Sequence, residues 1–361
     1  MESMVRRPES QFWRGKRVLV TGHTGFKGSW LSLWLSRLGA HVAGVALAPT
    51  TEPNLFSLAR VDKQIDSYFC DIRSAASLAG LVNTVQPDIV FHLAAQSLVR
   101  ASYRMPVETI AVNVMGTTHV LDALREVASL RVMVVVTTDK VYRNCEWPYP
   151  YREEDPLGGY DPYSASKAAC ELIVESYRQS FFRPRGVAIA TARAGNVIGG
   201  GDWSEDRLVP DAVRAWSMGR PLYLRHPDAV RPWQHVVEPL HGYLRLAETL
   251  WDKPELAGAY NFGPDPQSAV TVRRVVEAAR AVYGRGDVEF ASQADGPHEA
   301  GILVLENAKA RGVLGVAPQW SLERAIEQTM MWYRRQAEGA DAAALCDIDL
   351  DAYEGVFRCL V

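Results

Sequence analysis

The sequence predicts a doubly wound α/β fold with a smaller C-terminal lobe, and three observations carry that expectation. A short apolar run, Val18-Leu19-Val20, feeds a glycine-bearing turn over residues 21–28 and then an apolar stretch of helical length, Ser29 to Leu38. Further runs of strand pattern, His41 to Leu47, Ile65 to Cys70, Asp88 to Leu93 and Arg131 to Val136, recur between segments of helical length and pattern. After Gly186 the organisation changes, with Gly, Pro and Trp crowded into residues 195–203 and 231–235. Strands alternating with helices imply βαβ units, a parallel sheet and helices on both of its faces.

Taken in order, Val132 to Val136 is apolar at every position and fits a central strand buried on both faces. Pro106 to Val127 reads as one long helix. Beyond residue 192, helices are expected at Leu208 to Met218, Pro239 to Leu250, Thr271 to Tyr283 and Leu322 to Arg335. Residues 1–192 thus form mainly a dinucleotide-binding half, and residues 193–361 mainly a second lobe with segments returning to the sheet. From Ala337 the chain is acidic and alanine-rich and reads as a packing segment.

At 361 residues the chain is long enough for about two domains of ~150 residues. Hydrophobic residues at 48% and charged residues at 22% exclude disordered, collagen-like and disulfide-scaffold classes. Lys+Arg 39 against Asp+Glu 42 leaves −3, which argues against nucleic acid or an anionic membrane as partner. The five cysteines (Cys70, Cys145, Cys170, Cys346, Cys359) form no Cys-x-x-Cys pair and read as reduced thiols. Pro8-Glu9-Ser10-Gln11 stands where a signal peptide needs an apolar run, and no stretch approaches a membrane span. A cytoplasmic protein is expected. No His/Cys/Asp cluster has metal-ligand spacing.

Gly22, Gly25 and Gly28 follow a strand and open a helix, the context of a Rossmann-type dinucleotide site. In it the first glycine permits the turn, the second lets backbone approach a pyrophosphate, and the third allows close helix packing. The acidic residue expected about 20 residues on is missing, because Val45-Ala46-Leu47-Ala48-Pro49 carries neither a carboxylate nor an arginine. NAD and NADP therefore both stay open, with Lys27 a candidate phosphate contact. Asp71 is placed either to bond the adenine end or to cap the helix that follows.

Tyr163 and Lys167 stand four apart at the start of a helix, which puts them on one face. An ammonium beside a phenol favours phenolate, and bringing a Tyr pKa from about 10 to about 7 takes roughly 4 kcal/mol. Such a phenolate would take a proton from a sugar alcohol near neutral pH.

These features, with Leu93-Ala94-Ala95-Gln96, Asn113 and Thr137-Thr138-Asp139-Lys140, resemble the extended short-chain dehydrogenase/reductase family over nearly the whole chain. Within it, TGHTGFKGSWL, AGNVIGGGDW and RPWQHV resemble the nucleotide-sugar 4,6-dehydratases, those acting on CDP-glucose above all. The resemblance implies NAD against Gly22, Thr24, Gly25, Phe26, Lys27, Gly28, Asp71, Ile72, Leu93, Ala94, Ala95, Gln96, Asn113, Thr137, Tyr163 and Lys167. It implies an internal redox cycle in which carbon 4 of the hexose is oxidised, water leaves across carbons 5 and 6, and the hydride returns to carbon 6.

By the same resemblance Tyr163 is the base at the 4-hydroxyl, Lys167 its tuner, Thr138 a bond to the 4-oxygen and Asp139 the acid for the departing 6-hydroxyl. Lys140 is either the base at carbon 5, for which it must be neutral, or a substrate contact. A charged Lys140 would also favour carboxylate at Asp139. Gln96, Arg100 and Tyr103 are expected at the hexose. Asn196, Gly201, Arg207 and Arg231 are expected at the diphosphate, with Trp203 or Trp233 stacked on sugar or base. His235 and His298 read as structural. A homodimer, or a dimer of dimers, is implied through the Pro106–Val127 and Tyr163 helices. An epimerase or decarboxylating relative would need no acid at position 139; a non-catalytic nucleotide-sensing scaffold would need none of these groups.

Overall fold

The structure is a computed structural model that describes residues 5–291 and 301–358, so His298 and Cys359 lie outside the described residues. The first half is a run of βα units: β1 (Arg17–Thr21), α1 (Phe26–Arg37), β2 (His41–Ala46), β3 (Asp66–Phe69), α2 (Ala75–Val85) and β4 (Ile89–His92). The long helix α3 follows as Pro106–Ile110, a π turn over Ala111–Met115 and Gly116–Leu124. Then come β5 (Val132–Val136), α4 (Pro162–Tyr177), β6 (Ala188–Ala194), α5 (Leu208–Ser217), α6 (Val237–Asp252), β7 (Ala259–Phe262), α7 (Val272–Tyr283), α8 (Leu322–Ala337) and α9 (Ala342–Arg358).

The seven strands form one parallel sheet in the order β7-β6-β5-β4-β1-β2-β3. The chain runs outward from β1 in one direction and then in the other, so the order reverses between β1 and β4. At such a reversal the connections leave on opposite faces and a crevice opens at the carboxyl ends of the strands. The period of two along the strands decides the layers. Val18, Val20, Val132, Val134 and Val136 face a core shared with α1 and α6, while Leu19, Val90, Met133 and Val135 face α2 and α3. All five residues of β5 are buried, as expected for a central strand.

His92 closes the reversal from beneath: Nδ1 is 2.7 Å from Thr21 Oγ1 and Nε2 is 2.9 Å from Thr117 Oγ1 on α3. The Thr21 hydroxyl also accepts from the Ala94 amide at 3.2 Å. One buried imidazole therefore joins β1, β4 and α3, and burial, helped by the Lys167 charge, takes it down to about 3 and keeps it neutral. Among the described residues no helix is long and apolar enough to cross a membrane.

The segment after residue 193 supplies β7 to the sheet and three two-stranded ladders outside it. The acidic tail packs. Tyr353 of α9 is fully buried, lies edge-on to Trp34 and Trp320, and donates to Glu238 Oε2 at 2.8 Å. Glu238 Oε1 accepts from the Gln319 and Trp320 amides at 2.9 and 2.6 Å.

Burial nevertheless pushes Glu238 up to about 7, while its neighbour His241 is taken down to about 4. A carboxyl whose folded pKa exceeds its unfolded one gives stability that is complete below the unfolded value, ~4.5, and is lost as pH rises through about 7. Glu238→Gln keeps the acceptor for both amides and mimics the protonated acid. Its melting temperature is expected to equal that of the parent at pH 5 and to match or exceed it at pH 8; an equal loss at both pH values would contradict the assignment.

Candidate active site

The site is built on backbone contacts at the end of β1. Gly22 has φ +80°, and a Cβ there would lie 2.7 Å from the Ala94 nitrogen. A Cβ on Gly28 would lie 2.0 Å from the Gly22 carbonyl oxygen. These two glycines are required by packing. Gly25, the N-cap of α1, is different: its added Cβ would meet only the Gly22 oxygen, at 3.4 Å, so this side of the turn is open.

The first amides of α1 face that opening without intrahelical partners, which suits a pyrophosphate. Exposed Leu47 and Phe69 just past β2 and at the end of β3 give the apolar rim an adenine ring needs. The residues present therefore fit a dinucleotide. Around the turn, Thr24 donates to the Leu47 carbonyl at 2.9 Å and His23 Nε2 is 2.7 Å from Ser67 Oγ on β3. Gly44 makes the second contact possible, since a Cβ there would lie 2.3 Å from the His23 ring.

Helix α4 begins with Pro162 and with the Asp161 cap, whose Oδ1 accepts from the Ser164 amide at 2.9 Å. Tyr163, Lys167 and Glu171 then follow at one-turn spacing and are all buried. Lys167 Nζ donates to the Val136 carbonyl at 3.3 Å. Just past β5, Thr138 Oγ1 donates to Asp139 Oδ1 at 2.9 Å and accepts from the Lys140 amide at 3.4 Å. Asp139 Oδ2 is buried and has no hydrogen-bond partner among the described residues.

Electrostatics ties these elements to the glycine turn. Half-buried Lys27 is taken down to about 8 by burial and by the charges of Arg207 and Lys167, against the pull of Asp139 and Asp202. Burial raises Asp139 above the usual carboxylate range although Lys140, the Thr138 hydroxyl, Arg231 and Lys27 all act to lower it. The conflict expected between a charged Lys140 and an acidic Asp139 is thus settled by desolvation. Burial also lowers Lys167, with Cys170 and Glu171 opposing.

The phenol does not follow the expectation. Burial pushes Tyr163 up to about 12, with a hydrogen bond to Thr138 and the Arg207 charge acting the other way. Lys167 spends its ammonium on the Val136 carbonyl, so removal from water outweighs cationic help.

A glycine turn at a strand-order reversal, with a Tyr and a Lys one helical turn apart on a neighbouring helix, is matched across residues 19–329 by the model of the GDP-mannose 4,6-dehydratase family. The chain belongs to this family. It is 44% identical over 339 residues to a CDP-glucose 4,6-dehydratase of Salmonella typhimurium, covering 92% of this chain and 94% of that one. Among solved structures, UDP-glucose 4-epimerase of Thermus thermophilus in complex with NAD superposes with TM-score 0.76 at 27% identity, covering 88% of this chain and 98% of that one. The epimerase Mth375 of Methanothermobacter thermautotrophicus superposes with TM-score 0.78 at 23% identity over 91% and 95% of the two chains, and shows the shared fold.

In this member of the GDP-mannose 4,6-dehydratase family the sequence-derived residues fall into groups. Phe26 lies beside Gly199, Ile72 packs where Gly116 leaves room, and Leu93 and Ala94 line the backbone beside Gly22, with Ala95 next in the chain. Thr137 turns its hydroxyl inward to Glu171 at 2.6 Å. Asn113 is fully buried in the π turn, bracketing the Gln96 backbone and Ser166 Oγ, so all its polar atoms are used inside the protein. The Gln96 amide is likewise spent on Leu98 and Thr109.

Asp71 does not cap α2. Ser74 holds that position, and the Asp71 carboxylate is gripped by the Arg73 side chain, which holds it below the usual range.

On the other side of the crevice, Arg231 is buried, donates to the Val230 and Gly301 carbonyls and sends its charge towards Asp139. Arg207 reaches the Ser97 carbonyl at 3.4 Å. Arg100 lies 3.6 Å from Asp206 Oδ1, and Tyr103 is partly exposed. Gly201 has φ +84°, and the Asn196 carbonyl accepts from the Gln234 amide. Trp203 lies edge-on to Tyr333, and Trp233 is buried in the main core. His235 is fully buried.

Sequence reasoning missed three features. Gly195 matters because a Cβ there would lie 3.0 Å from Asp139 Oδ2 and 2.8 Å from Pro232. Arg225 shares Asp206 with Arg100 at 3.7 Å, and no motif marks it. Glu171 and Arg193 form a buried ion pair behind the site; Glu171 extends the four-residue spacing of Tyr163 and Lys167, the one signal available.

With burial dominant, the Tyr163 phenol stays protonated in the ligand-free protein through neutral pH. The tyrosinate absorbance of the protein minus that of Tyr163→Phe is expected to be flat below about pH 11. A step centred near pH 7 would mean that Lys167 controls the phenol after all.

Proposed function

We propose that the chain is a CDP-glucose 4,6-dehydratase, converting CDP-D-glucose to CDP-4-dehydro-6-deoxy-D-glucose and water. One observation carries the choice over an epimerase or a sensing scaffold. Asp139 is buried, is raised towards the protonated form, and has a free carboxyl oxygen beside Thr138 and Tyr163. A departing hydroxyl needs such an acid, and epimerisation at carbon 4 does not. The 44% identity to the Salmonella CDP-glucose 4,6-dehydratase supports CDP-glucose as the substrate.

The open Gly25 side of the turn and the NAD of the Thermus relative support NAD as the cofactor. When bound, NAD accepts hydride from the sugar and returns it. The chain's own residues do the rest. Tyr163 receives the proton of the 4-hydroxyl; the Thr138 hydrogen bond and the Arg207 charge act to bring its phenol down, and Lys167 stands one turn away on the same helix face. A ketone at carbon 4 acidifies the hydrogen on carbon 5, which Lys140 removes, while Asp139 protonates the 6-oxygen as it leaves. Arg207 and Arg231 hold the diphosphate as charge-assisted donors.

The free thiols among the described residues, Cys70, Cys145, Cys170 and Cys346, support a cytoplasmic setting. Helices α3 and α4 pack side by side and expose Val107 (81%), Ile110, Met115 and Leu172 (63%). A second copy of the chain covering this face in a homodimer accounts for that exposure.

Incubation with CDP-glucose and NAD is expected to yield the 4-keto product, detected by its alkaline absorbance. Lys140→Ala is expected to keep oxidation at carbon 4 and to stop elimination. Solvent deuterium entering carbon 5 at the normal rate in that variant would remove Lys140 from the role of base. For the assembly, light scattering is expected to give a dimer for the parent and a monomer for Leu172→Glu; a monomeric parent would refute it.

A further inference from the structure

Behind the proposed catalytic groups lies a buried ion pair that none of the steps above uses. Glu171 of α4 and Arg193 of β6 are each about 4% exposed at the side chain, with Arg193 Nη2 to Glu171 Oε2 at 2.8 Å. Arg193 Nε adds a bond to Glu171 Oε1 at 3.0 Å, so the contact is a two-pronged fork. The remaining capacity of the carboxylate is filled by two hydroxyls. Thr137 donates to Oε1 at 2.6 Å and Thr191 to Oε2 at 2.7 Å.

The other end of Arg193 is equally committed. Nη1 donates to Tyr142 Oη and to the Glu153 carbonyl, both at 2.9 Å, and the guanidinium lies 5.0 Å from the centre of the Tyr142 ring. Tyr142 donates in turn to Asn261 Oδ1 on β7 at 2.6 Å.

What this pair grips is specific. Thr137 immediately precedes Thr138-Asp139-Lys140, and Tyr142 follows two residues after Lys140. Both ends of the segment 137–142 are therefore fastened to one ion pair, while Glu171 belongs to the helix that carries Tyr163 and Lys167. Besides the pair, apolar packing, the Lys167 bond to Val136 and the Tyr163 bond to Thr138 join this strand end to α4. Apolar contacts tolerate sliding; a fork with every nitrogen engaged does not. Thermodynamically, removing two charges from water costs about as much as their attraction returns, so such a pair is a poor device for stability alone.

We propose that Glu171 and Arg193 are positioning residues that set the register of Thr138-Asp139-Lys140 against Tyr163 and Lys167. This rests on the dehydratase reading for what the register serves, and on geometry for the register itself. The double variant Glu171→Gln/Arg193→Met removes both charges together and leaves no lone buried ion. In that variant kcat with CDP-glucose is expected to fall on the order of a hundredfold, the scale of a 1 Å misplacement, with KM within about twofold. Backbone hydrogen exchange over residues 137–142 is expected to quicken while β1 and β4 stay protected.

A folded double variant with unchanged kcat overturns the proposal, and so does unchanged exchange over 137–142. If the double variant does not fold, Tyr142→Phe, which frees only one end of the segment, is expected to lower kcat about tenfold or less at constant KM; unchanged kcat there overturns it too. Failure of the parent to turn over CDP-glucose would defeat the proposed function instead, and the exchange measurement would still decide whether the pair holds the segment.

Discussion

Three stretches of backbone meet at the end of β1, and the geometry of the site is referred to that contact. The Gly28 position lies so close to the Gly22 carbonyl, and Gly22 so close to Ala94, that no side chain fits at either place. Because α1 is thereby pressed against the turn, its first amides sit at the point where the strand order reverses. Because Ala94 is pressed there too, the loop after β4 shares the same reference. His92, bonded to both Thr21 and Thr117, locks the arrangement from below.

Desolvation rules the chemistry above that floor. It raises Tyr163 and Asp139 and lowers Lys27 and Lys167, in each case against at least one neighbouring charge or hydrogen bond. A pocket of this kind favours the protonated form of its acids and weakens the charge of Lys27 and Lys167. An acid donating to a leaving hydroxyl needs that bias. The same rule acts far from the site at Glu238, where burial pushes a carboxyl beneath α9 up to about 7.

Local pattern made the frame legible. Strand runs in 18–20, 41–47 and 131–136, the glycine turn and the Tyr163/Lys167 spacing each depend on neighbours within a few residues, and each appears where expected. The π turn in α3 escaped because nothing in its sequence interrupts a helical pattern. Asn113 looked available because a sequence does not disclose that Gln96 and Ser166 take its whole hydrogen-bonding capacity. The burial of Trp233 is hidden from the sequence for the same reason, since only the assembled core encloses it. At Asp71 the structure decides against the cap alone: Arg73, two residues on, takes the carboxylate, and Ser74 holds the cap position.

The sequence by itself determined the alternation of strands and helices along the chain, the dinucleotide turn and the set of groups that can move protons. These follow from periodicity and from residue types at short spacing, which act through local sterics and hydrogen bonds. Tertiary structure alone decided the protonation bias of those groups, the closeness of Gly195 to Asp139, and the grip of Glu171 and Arg193 on residues 137–142. Each of these depends on distance from water and on partners far away along the chain, and neither quantity exists until the strands and helices have packed.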